Sequence, residues 1–173
     1  MLIFVSVHLL LFSFFVYHLH DLTQMSFKSQ INLQQRNQQA AIAEQALNYA
    51  QSSVLNQQMT NCVFQQQSID YFVNKSSEWW YSGQVCNITH SQYSIGFVTE
   101  LIMTDPCASL QSTSQLTIGV RIFRIHIRVT HPSIASPLFL QSHIAIPTMS
   151  SDCSEPNDRI YRQGRLSWNM PKN

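Results

Sequence analysis

The sequence predicts an α+β fold in which one long N-terminal helix packs on a small antiparallel β-sheet. Helical periodicity, uninterrupted by Pro or Gly, extends from residue 2 to about residue 60, and from Gln92 onward apolar residues alternate with a period of two. Strands joined by short turns form antiparallel sheets, and one apolar face of such a sheet can bury a helix. We therefore divide the chain into a membrane half of the helix (1–21), an amphipathic half (22–60) and a sheet domain (61–173).

The first part of the helix is apolar enough to cross a membrane. From Leu2 to Leu19 the chain has no Asp, Glu, Lys or Arg, and a run of this length suits the ~30 Å hydrocarbon layer of a bilayer. No basic residue precedes the run and no small-x-small cleavage site follows it, so a retained anchor fits better than a cleaved signal peptide. We expect a basic leader upstream of Met1.

The orientation of the anchor is argued from two opposing features. Lys28 and Arg36 follow the apolar run, and by the positive-inside rule they favour a cytoplasmic C-terminal domain. The cysteines and the polar, uncharged surface favour an oxidising compartment instead. We expect the C-terminal domain to lie outside the cytoplasm.

The second part of the helix is amphipathic. Small and apolar residues recur at three- and four-residue steps and form one stripe, namely Ala40, Ala43, Leu47, Ala50 and Val54. Glutamines, Gln39 and Gln51 among them, occupy much of the remaining helix surface and are compatible with helix formation. The stripe is expected to pack on the sheet.

The four cysteines have a structural role in every interpretation that we favour. Their spacing contains no CxxC pair, so it indicates neither a zinc site nor a redox site. We favour pairing Cys62 with Cys86 and Cys107 with Cys153, because each pair closes a loop bounded by predicted elements. The other two connectivities and buried free thiols remain alternatives, whereas a nucleophilic Cys107 beside Asp105 is disfavoured.

Between the first two cysteines lies a connecting region that contains the pair Trp79-Trp80. We expect this region to pack the helix onto the sheet. Large aromatic side chains fill cores more often than they form sugar-stacking surfaces, so we expect the two tryptophans in the core.

The sheet is expected to begin with two strands. The first includes Tyr93 and Ile95, with Gly96 marking a bulge or a close backbone approach, and it is expected to end at Asp105-Pro106. The second extends from Leu116 to Thr130, and a change in the phase of its apolar residues at Phe123 predicts a bulge there.

Two further segments complete the predicted sheet. His131-Pro132 and Ser136-Pro137 bound a connection, and Leu138 to Ile146 forms the third strand. Arg159 to Met170 forms a fourth strand or a pair of strands, with its apolar residues on one face, namely Leu166, Trp168 and Met170.

The residues that could carry chemistry have simpler explanations. His126 and His143 could face each other and bind a metal, but cross-strand surface histidines are the favoured interpretation. Three arginines of the second strand, Arg121, Arg124 and Arg128, could contact phosphate, but we expect them on a solvated face. Only 11% of residues are charged and the net charge is +1, so nucleic-acid binding is not expected. We expect no catalytic residue, metal or cofactor, and a role in assembly.

Four segments in order resemble the minor pilins of bacterial type IV pili, and specifically the PilX family. The helix stretch RNQQAAIAEQALNYAQ is similar to the family's helix after the membrane segment, FRIHIRVT and LFLQSHIAIP are similar to two of its strands, and GRLSW is similar to its ending. The residues that carry the resemblance are Ala43, Glu44, Ala46, Leu47, Ala50, Arg124, Leu140, Gln141, Ser142, Gly164, Arg165, Ser167 and Trp168.

The resemblance implies a pilin-like fold and a non-catalytic structural subunit that helps to initiate pilus assembly in a tip or priming complex. It implies a single-pass protein of the bacterial inner membrane with a periplasmic C-terminal domain, found at the pilus tip after assembly. The implied partners are other minor pilins, the major pilin, a PilY-type tip adhesin, the assembly platform and, through the N-terminal helix, the membrane. Adhesion and twitching motility would depend on it.

The sequence also departs from the pilin pattern. Major pilins carry a glutamate early in the apolar helix, and here no acidic residue occurs before Asp21. A subunit without that glutamate suits the pilus tip or an initiating complex. Two other classes remain alternatives: a pseudopilin of a type II secretion system, and a membrane-anchored periplasmic enzyme or ligand-binding protein unrelated to filaments.

Overall fold

The computed structural model describes residues 2–56, 62–68, 70–112, 116–148, 153 and 158–169. The chain has an α+β fold, with one N-terminal helix, α1 (Leu2–Leu55, 54 residues), and a mixed sheet of seven strands. This confirms the predicted fold class and is consistent with a pilin-like architecture. The predicted helix extended to about residue 60, of which residues 57–60 lie outside the described part of the chain.

The chain divides into two compact units, Met1–Gln38 and Gln39–Asn173. In the first unit, residues 4–34 are all exposed, and many of them are large and apolar, such as Phe4, Leu10, Phe12 and Phe15. By length and composition α1 meets the criterion for a membrane-spanning helix, a criterion that membrane anchors and signal sequences share. This part of the helix therefore has the composition of a membrane anchor.

The second unit contains the sheet, whose strands follow the order β1-β3-β4-β5-β7, with β2 and β6 also paired to β3. The strands are β1 (Val63–Gln65), β2 (Cys86–His90), β3 (Tyr93–Gln111), β4 (Leu116–His131), β5 (Ile134–Pro147), β6 (Ile160–Arg162) and β7 (Gly164–Asn169).

The expected antiparallel sheet is correct for most of the pairs but not for all. Strands β2, β4, β5 and β7 pair antiparallel with their neighbours, whereas β1 and β6 pair in parallel with β3. The reason is the length of β3, whose 19 residues extend well beyond the five residues of β2. The remaining edge of β3 is free to pair with two short strands from distant parts of the chain.

The prediction that Asp105-Pro106 ends the first strand is wrong. Strand β3 continues through this dipeptide with a shift in register, and its pairing with β4 resumes at Ser109. The Asp105 carboxylate accepts the backbone N–H groups of Cys107 and Ala108, each at 3.1 Å. The proline thus occupies an irregular position where it need not donate to the ladder.

The bulge predicted at Phe123 lies in the neighbouring strand instead. Leu101 pairs with Phe123 and Met103 pairs with Ile122, so Ile102 in β3 is the extra residue. Strand β4 remains in regular register with β5 through this region. The change of phase in the sequence arises because the face of β4 that contains Ile122 is apolar at one end and polar at the other.

The last two predicted segments differ in extent from the observed strands. Strand β5 begins at Ile134, so Ser136-Pro137 lies within it rather than in a connection. The C-terminal segment forms a pair of strands, one of the two expected forms, and Leu166 is exposed. The side chain of Trp168, and Met170 altogether, lie outside the described residues.

The helix stripe forms one side of the main core. Ala43, Leu47, Ala50 and Val54 are buried and Ala40 is half-buried. The buried members pack against one face of the central strands, at Ile95, Phe97, Phe123, Ile125, Ile127, Leu140 and Ile144. This face of the sheet, the helix face, is the one that the alternation of apolar residues predicts.

Candidate functional site

The opposite face of the sheet is covered by the connecting region. We call residues 66–68 and 70–85 the cover. Its buried side chains Phe72, Trp80 and Val85 pack against Val98 and Phe139, which lie on the sheet face away from α1. The prediction that this region packs the helix onto the sheet is therefore wrong, because it packs on the other side of the sheet.

The close packing of Trp80 explains why residue 96, in the sheet opposite it, is a glycine. The Trp80 indole is 1% exposed and donates its Nε1–H to the Phe72 carbonyl at 3.2 Å, whereas Trp79 is half-buried. A Cβ atom on Gly96 would lie 3.0 Å from the Trp80 ring and 3.1 Å from Val85. The close approach predicted as one possibility at Gly96 is thus present, and the core position expected for the tryptophans holds for Trp80.

Beneath the cover lies a cluster of buried charges. Glu100 is fully buried, and its Oε2 lies 3.1 Å from His126 Nε2 and 3.6 Å from Arg124 Nε. Its Oε1 accepts the backbone N–H of Gln67, in the cover. Arg128, further along β4, donates to Ser77 of the cover at 2.7 Å. The cluster therefore joins two central strands to the segment above them.

The expectation that the polar residues of β4 lie on a solvated face is wrong for most of them. Arg124, His126 and Arg128 are only 8%, 3% and 7% exposed because the cover lies over them. Arg121 is half-buried, pairs with Ile146 and belongs to the helix face. Within the described part of the chain, the Nε and Nη1 atoms of Arg124 have no hydrogen-bond partner, so its charge is balanced mainly by Glu100.

The electrostatics of the cluster favour a charged Glu100 and a neutral His126. Burial acts to raise the pKa of Glu100, but the bonds from His126 and Gln67 and the charge of Arg124 together bring that pKa below its usual value. Burial lowers the pKa of His126, Glu100 opposes this shift, and Arg124 adds to it. Burial and the Arg124 charge likewise lower the pKa of His143.

The two histidines considered as metal ligands are not direct neighbours across the strands. His126 pairs with Gln141, whereas His143 pairs with Arg124. Among the residues that the structure describes, no group of three or more His, Cys, Asp or Glu side chains is arranged to hold a metal ion. The cross-strand surface position expected for His126 is also wrong, because it is buried against the Phe72 ring, with centroids 4.7 Å apart.

The other polar network fastens α1 to the sheet. Gln39 is buried and donates from Nε2 to the Val129 carbonyl at 2.9 Å. Gln51 donates to Ser142 Oγ at 3.1 Å, and Ser142 Oγ donates to the Ser167 carbonyl at 2.8 Å. These two glutamines were expected on the helix surface, and they instead make specific contacts with the sheet.

Arg165 completes this network from the last strand. Its Nη2 donates to Asn48 Oδ1 at 2.7 Å and to Gln51 Oε1 at 3.3 Å. We call Asn48, Gln51, Ser142, Arg165 and Ser167 the clasp. Their bonds connect the helix to β5 and β7, so the C-terminal strand is attached to the helix as well as to the sheet.

A β-bulge in β7 makes the clasp possible. Arg165 pairs with Ile144 and Ser167 pairs with His143, so Leu166 is an extra residue. In a regular strand, residues two apart share a face. Because of the bulge, Arg165 lies on the helix side with Ile144, and Ser167 lies on the other side, where its hydroxyl is 2.9 Å from His143 Nδ1.

The residues that carry the family resemblance are brought together only in part. Ser142, Arg165 and Ser167 meet in the clasp, and the motif segments lie on the helix and on the adjacent strands β4, β5 and β7. The others have separate positions: Ala43, Ala46, Leu47, Ala50 and Leu140 in the main core, Gln141 and Arg124 buried under the cover, Glu44 exposed, and Gly164 in a left-handed conformation with φ +100°.

Both disulfides have the connectivity favoured from the sequence. Cys62 is bonded to Cys86, with Cα atoms 5.6 Å apart, and Cys107 is bonded to Cys153, with Cα atoms 5.1 Å apart. The first closes the base of the cover, next to β1 and β2. The second connects the irregular part of β3 to the segment before β6.

Sequence reasoning missed Glu100 and the inward glutamines. The available signals were an acidic residue inside the apolar run of β3 and the four-residue step from Gln39 to Ala43 and from Leu47 to Gln51, which places these residues side by side on the helix. In comparisons with known proteins, the chain matches no protein-family model, no curated protein and no solved structure.

Proposed function

We propose that this chain is a minor pilin of a type IV pilus, of the PilX type. It is a non-catalytic structural subunit that helps to initiate pilus assembly from the inner membrane, with its sheet domain in the periplasm, and it then remains at the pilus tip. Its partners are other minor pilins, the major pilin, a PilY-type adhesin and the assembly platform. Adhesion and twitching motility follow from this role.

The observation that carries the proposal is that two parts of the same helix differ in burial. In α1, residues 4–34 are exposed and largely apolar, whereas Ala43, Leu47 and Ala50 are fully buried in the core of the sheet domain. A bilayer can hold the first part before assembly. During assembly, helices of this kind can leave the lipid and pack against one another, because protein replaces the lipid tails around their apolar side chains.

The clasp supports the proposal from the sheet domain. Three of the four segments that resemble the PilX family, the helix stretch, LFLQSHIAIP and GRLSW, meet there through Gln51, Ser142 and Arg165. A filament subunit needs a firm joint between its helix and its folded domain, because both are held by neighbouring subunits. Three of the five clasp residues, Ser142, Arg165 and Ser167, are among those that carry the resemblance.

The test is to look for the protein in filaments from its native host. Mass spectrometry of sheared surface filaments and of the membrane fraction should find it in both, and deleting the gene should reduce surface pili and twitching. If the protein is found only in membranes and piliation is normal, the proposal is wrong. Loss of protein secretion in that strain would favour a pseudopilin, and normal secretion would favour a membrane-anchored binding protein or enzyme.

A pair of matched variants tests the anchor itself. Leu10→Arg places a charge in the apolar run, where it costs ~2.5–3.5 kcal/mol on insertion scales, and Gln34→Arg places the same charge on the same helix after the run. Leu10→Arg should abolish membrane recovery and filament incorporation, and Gln34→Arg should preserve membrane recovery. Equal membrane recovery of both variants would contradict an anchor at residues 4–19.

A further inference from the structure

We propose that the cover is an acid-released lid on the sheet domain, held closed by the buried Glu100–His126–Arg124 cluster. Lowering the pH opens the cover while the helix face of the sheet stays folded. The device is independent of the pilin assignment, because it rests only on contacts within residues 62–143.

The cover is suited to move separately from the rest of the sheet domain. Its two ends are fixed beside each other, since Cys62 is bonded to Cys86, β1 pairs with Thr99–Leu101 and β2 pairs with Tyr93–Phe97. Among the described residues between these ends, the regular structure is one short 3₁₀ helix, Trp79–Tyr81. It buries a small apolar cluster that is separate from the main core. Opening it would leave the main core in place.

Three polar contacts between described residues hold the cover on the sheet, and the first of them ends on a buried carboxylate. Gln67 N–H donates to Glu100, Ser77 accepts from Arg128 at 2.7 Å, and the Tyr81 hydroxyl lies 2.8 Å from Thr130 Oγ1. Of the groups in these bonds, Glu100 is the one that acid neutralises, and because its pKa lies below the usual carboxylate value, this happens only at the acidic end of the transition. Once neutral, it would leave Arg124 buried with little to balance its charge.

His126 couples the cover to pH more directly. It lies beneath the Phe72 ring of the cover, with 4.7 Å between ring centroids, and its Nε2 is 3.1 Å from Glu100. The charged or titratable groups around the cluster are Glu100 on β3, Arg124 and Arg128 on β4, and His143 on β5. The cover contributes the Phe72 ring, the Gln67 amide and the Tyr81 hydroxyl, which interacts with Arg128. The cationic neighbours oppose a further positive charge on His126.

The direction of the pH effect follows from both groups. The pKa of His126 and the pKa of Glu100 are each lower in the closed state than for the free side chain. An open cover, in which both groups are hydrated, therefore binds protons more readily. The closed state is favoured above the ordinary histidine pKa of ~6.5 and loses stability as the pH falls below it, first through His126 and then through Glu100.

The experiment is hydrogen exchange with mass spectrometry on the full chain in detergent, from pH 7.5 to pH 4.5, with labelling times scaled to the intrinsic exchange rate. Peptides from residues 70–85 should lose protection reversibly as the pH falls, while peptides from 43–54 and β4 keep theirs. Constant protection of residues 70–85, or loss of protection in all these peptides together, would overturn the proposal.

Two histidine variants test whether the opening of the cover depends on His126. His126→Phe keeps an aromatic ring under Phe72 and should move the opening midpoint down by roughly one pH unit or more, toward the range where carboxylates titrate. His90→Gln replaces an exposed histidine and should leave the midpoint unchanged. An unchanged midpoint in His126→Phe, or an equal shift in the two variants, would exclude His126 as the group that senses pH.

A non-titrating variant keeps the test valid if His126→Phe folds poorly. Ser77→Ala removes the bond from Arg128 to the cover without changing any ionisable group. It should raise the midpoint, because a weaker cover opens with less proton uptake. A midpoint that is insensitive to Ser77→Ala would show that the acid transition is not the opening of this segment.

Discussion

The two faces of the sheet are both buried, but by different means. The helix face is mostly apolar, is covered by the alanine-rich side of α1, and has polar contacts with the helix at Gln39 and in the clasp. The cover face has Glu100, Arg124, His126 and Arg128 beneath a short irregular segment closed by a disulfide. The helix face is buried because its side chains are apolar. The cover face can be buried only because Glu100 balances the charge of Arg124.

The largest difference between the faces should come from breaking the ion pair on the cover face. Glu100→Gln leaves Arg124 buried without its counter-charge and should lower the free energy of unfolding by ~3–5 kcal/mol. Urea unfolding of the detergent-solubilised protein measures this. The double variant Glu100→Gln with Arg124→Met should recover much of the loss, because it removes both charges. A double variant as unstable as the single one would contradict this account.

On the helix face, a comparable loss should follow from shortening one apolar side chain. Leu47→Ala removes a fully buried side chain from the main core and should cost ~3 kcal/mol. The matched control is Glu44→Ala on the exposed side of the same helix, for which a change within ~0.5 kcal/mol is expected. Equal effects of the two variants in thermal or urea unfolding would disprove the packing of the stripe.

Removing the disulfide at the base of the cover should affect the cover face more than the helix face. Replacing both Cys62 and Cys86 by serine should cost ~2–4 kcal/mol, because the unfolded chain regains the freedom of the closed loop. In hydrogen exchange the loss should appear first in residues 70–85 and later, if at all, in residues 43–54. Protection lost equally in both segments would show that the cover and the main core unfold as one.

The smallest effect is expected at the clasp, because Arg165 is exposed. Arg165→Met keeps the length of the side chain but removes its bonds to Asn48 and Gln51, and it should cost ~1 kcal/mol. The matched control is Arg162→Met, an exposed arginine of β6. In the native host, Arg165→Met should reduce surface pili more than Arg162→Met does, and equal piliation of the two strains would contradict a role of the clasp in assembly.

Much of the fold could be predicted because it depends on local periodicity. The absence of Pro and Gly predicted α1, the three- and four-residue steps predicted its buried stripe, and alternation predicted the helix face of the strands. The ends of the strands were harder to predict from the sequence. Pro106 interrupts β3 only as an irregularity, since the Asp105 carboxylate caps the backbone there.

The candidate site was predicted less well than the fold. The motif residues Ser142, Arg165 and Ser167 were singled out, but not their convergence, because the bulge at Leu166 that turns Arg165 toward the helix has no clear signal in the sequence. The burial of Arg124 and His126 was predicted wrongly. Alternation states which residues share a face, and it does not state what lies on that face.

The sequence by itself determined the helix, its apolar first part and the helix-face core, because each depends on local periodicity or on composition. It favoured, without deciding, the disulfide pairing that the structure shows. Only the tertiary structure decided that the connecting region lies over the polar face, that Glu100 is buried beneath it beside Arg124 and His126, and that the clasp forms. These depend on contacts between distant segments, such as Gln67 with Glu100 and Arg165 with Asn48, which no local pattern encodes.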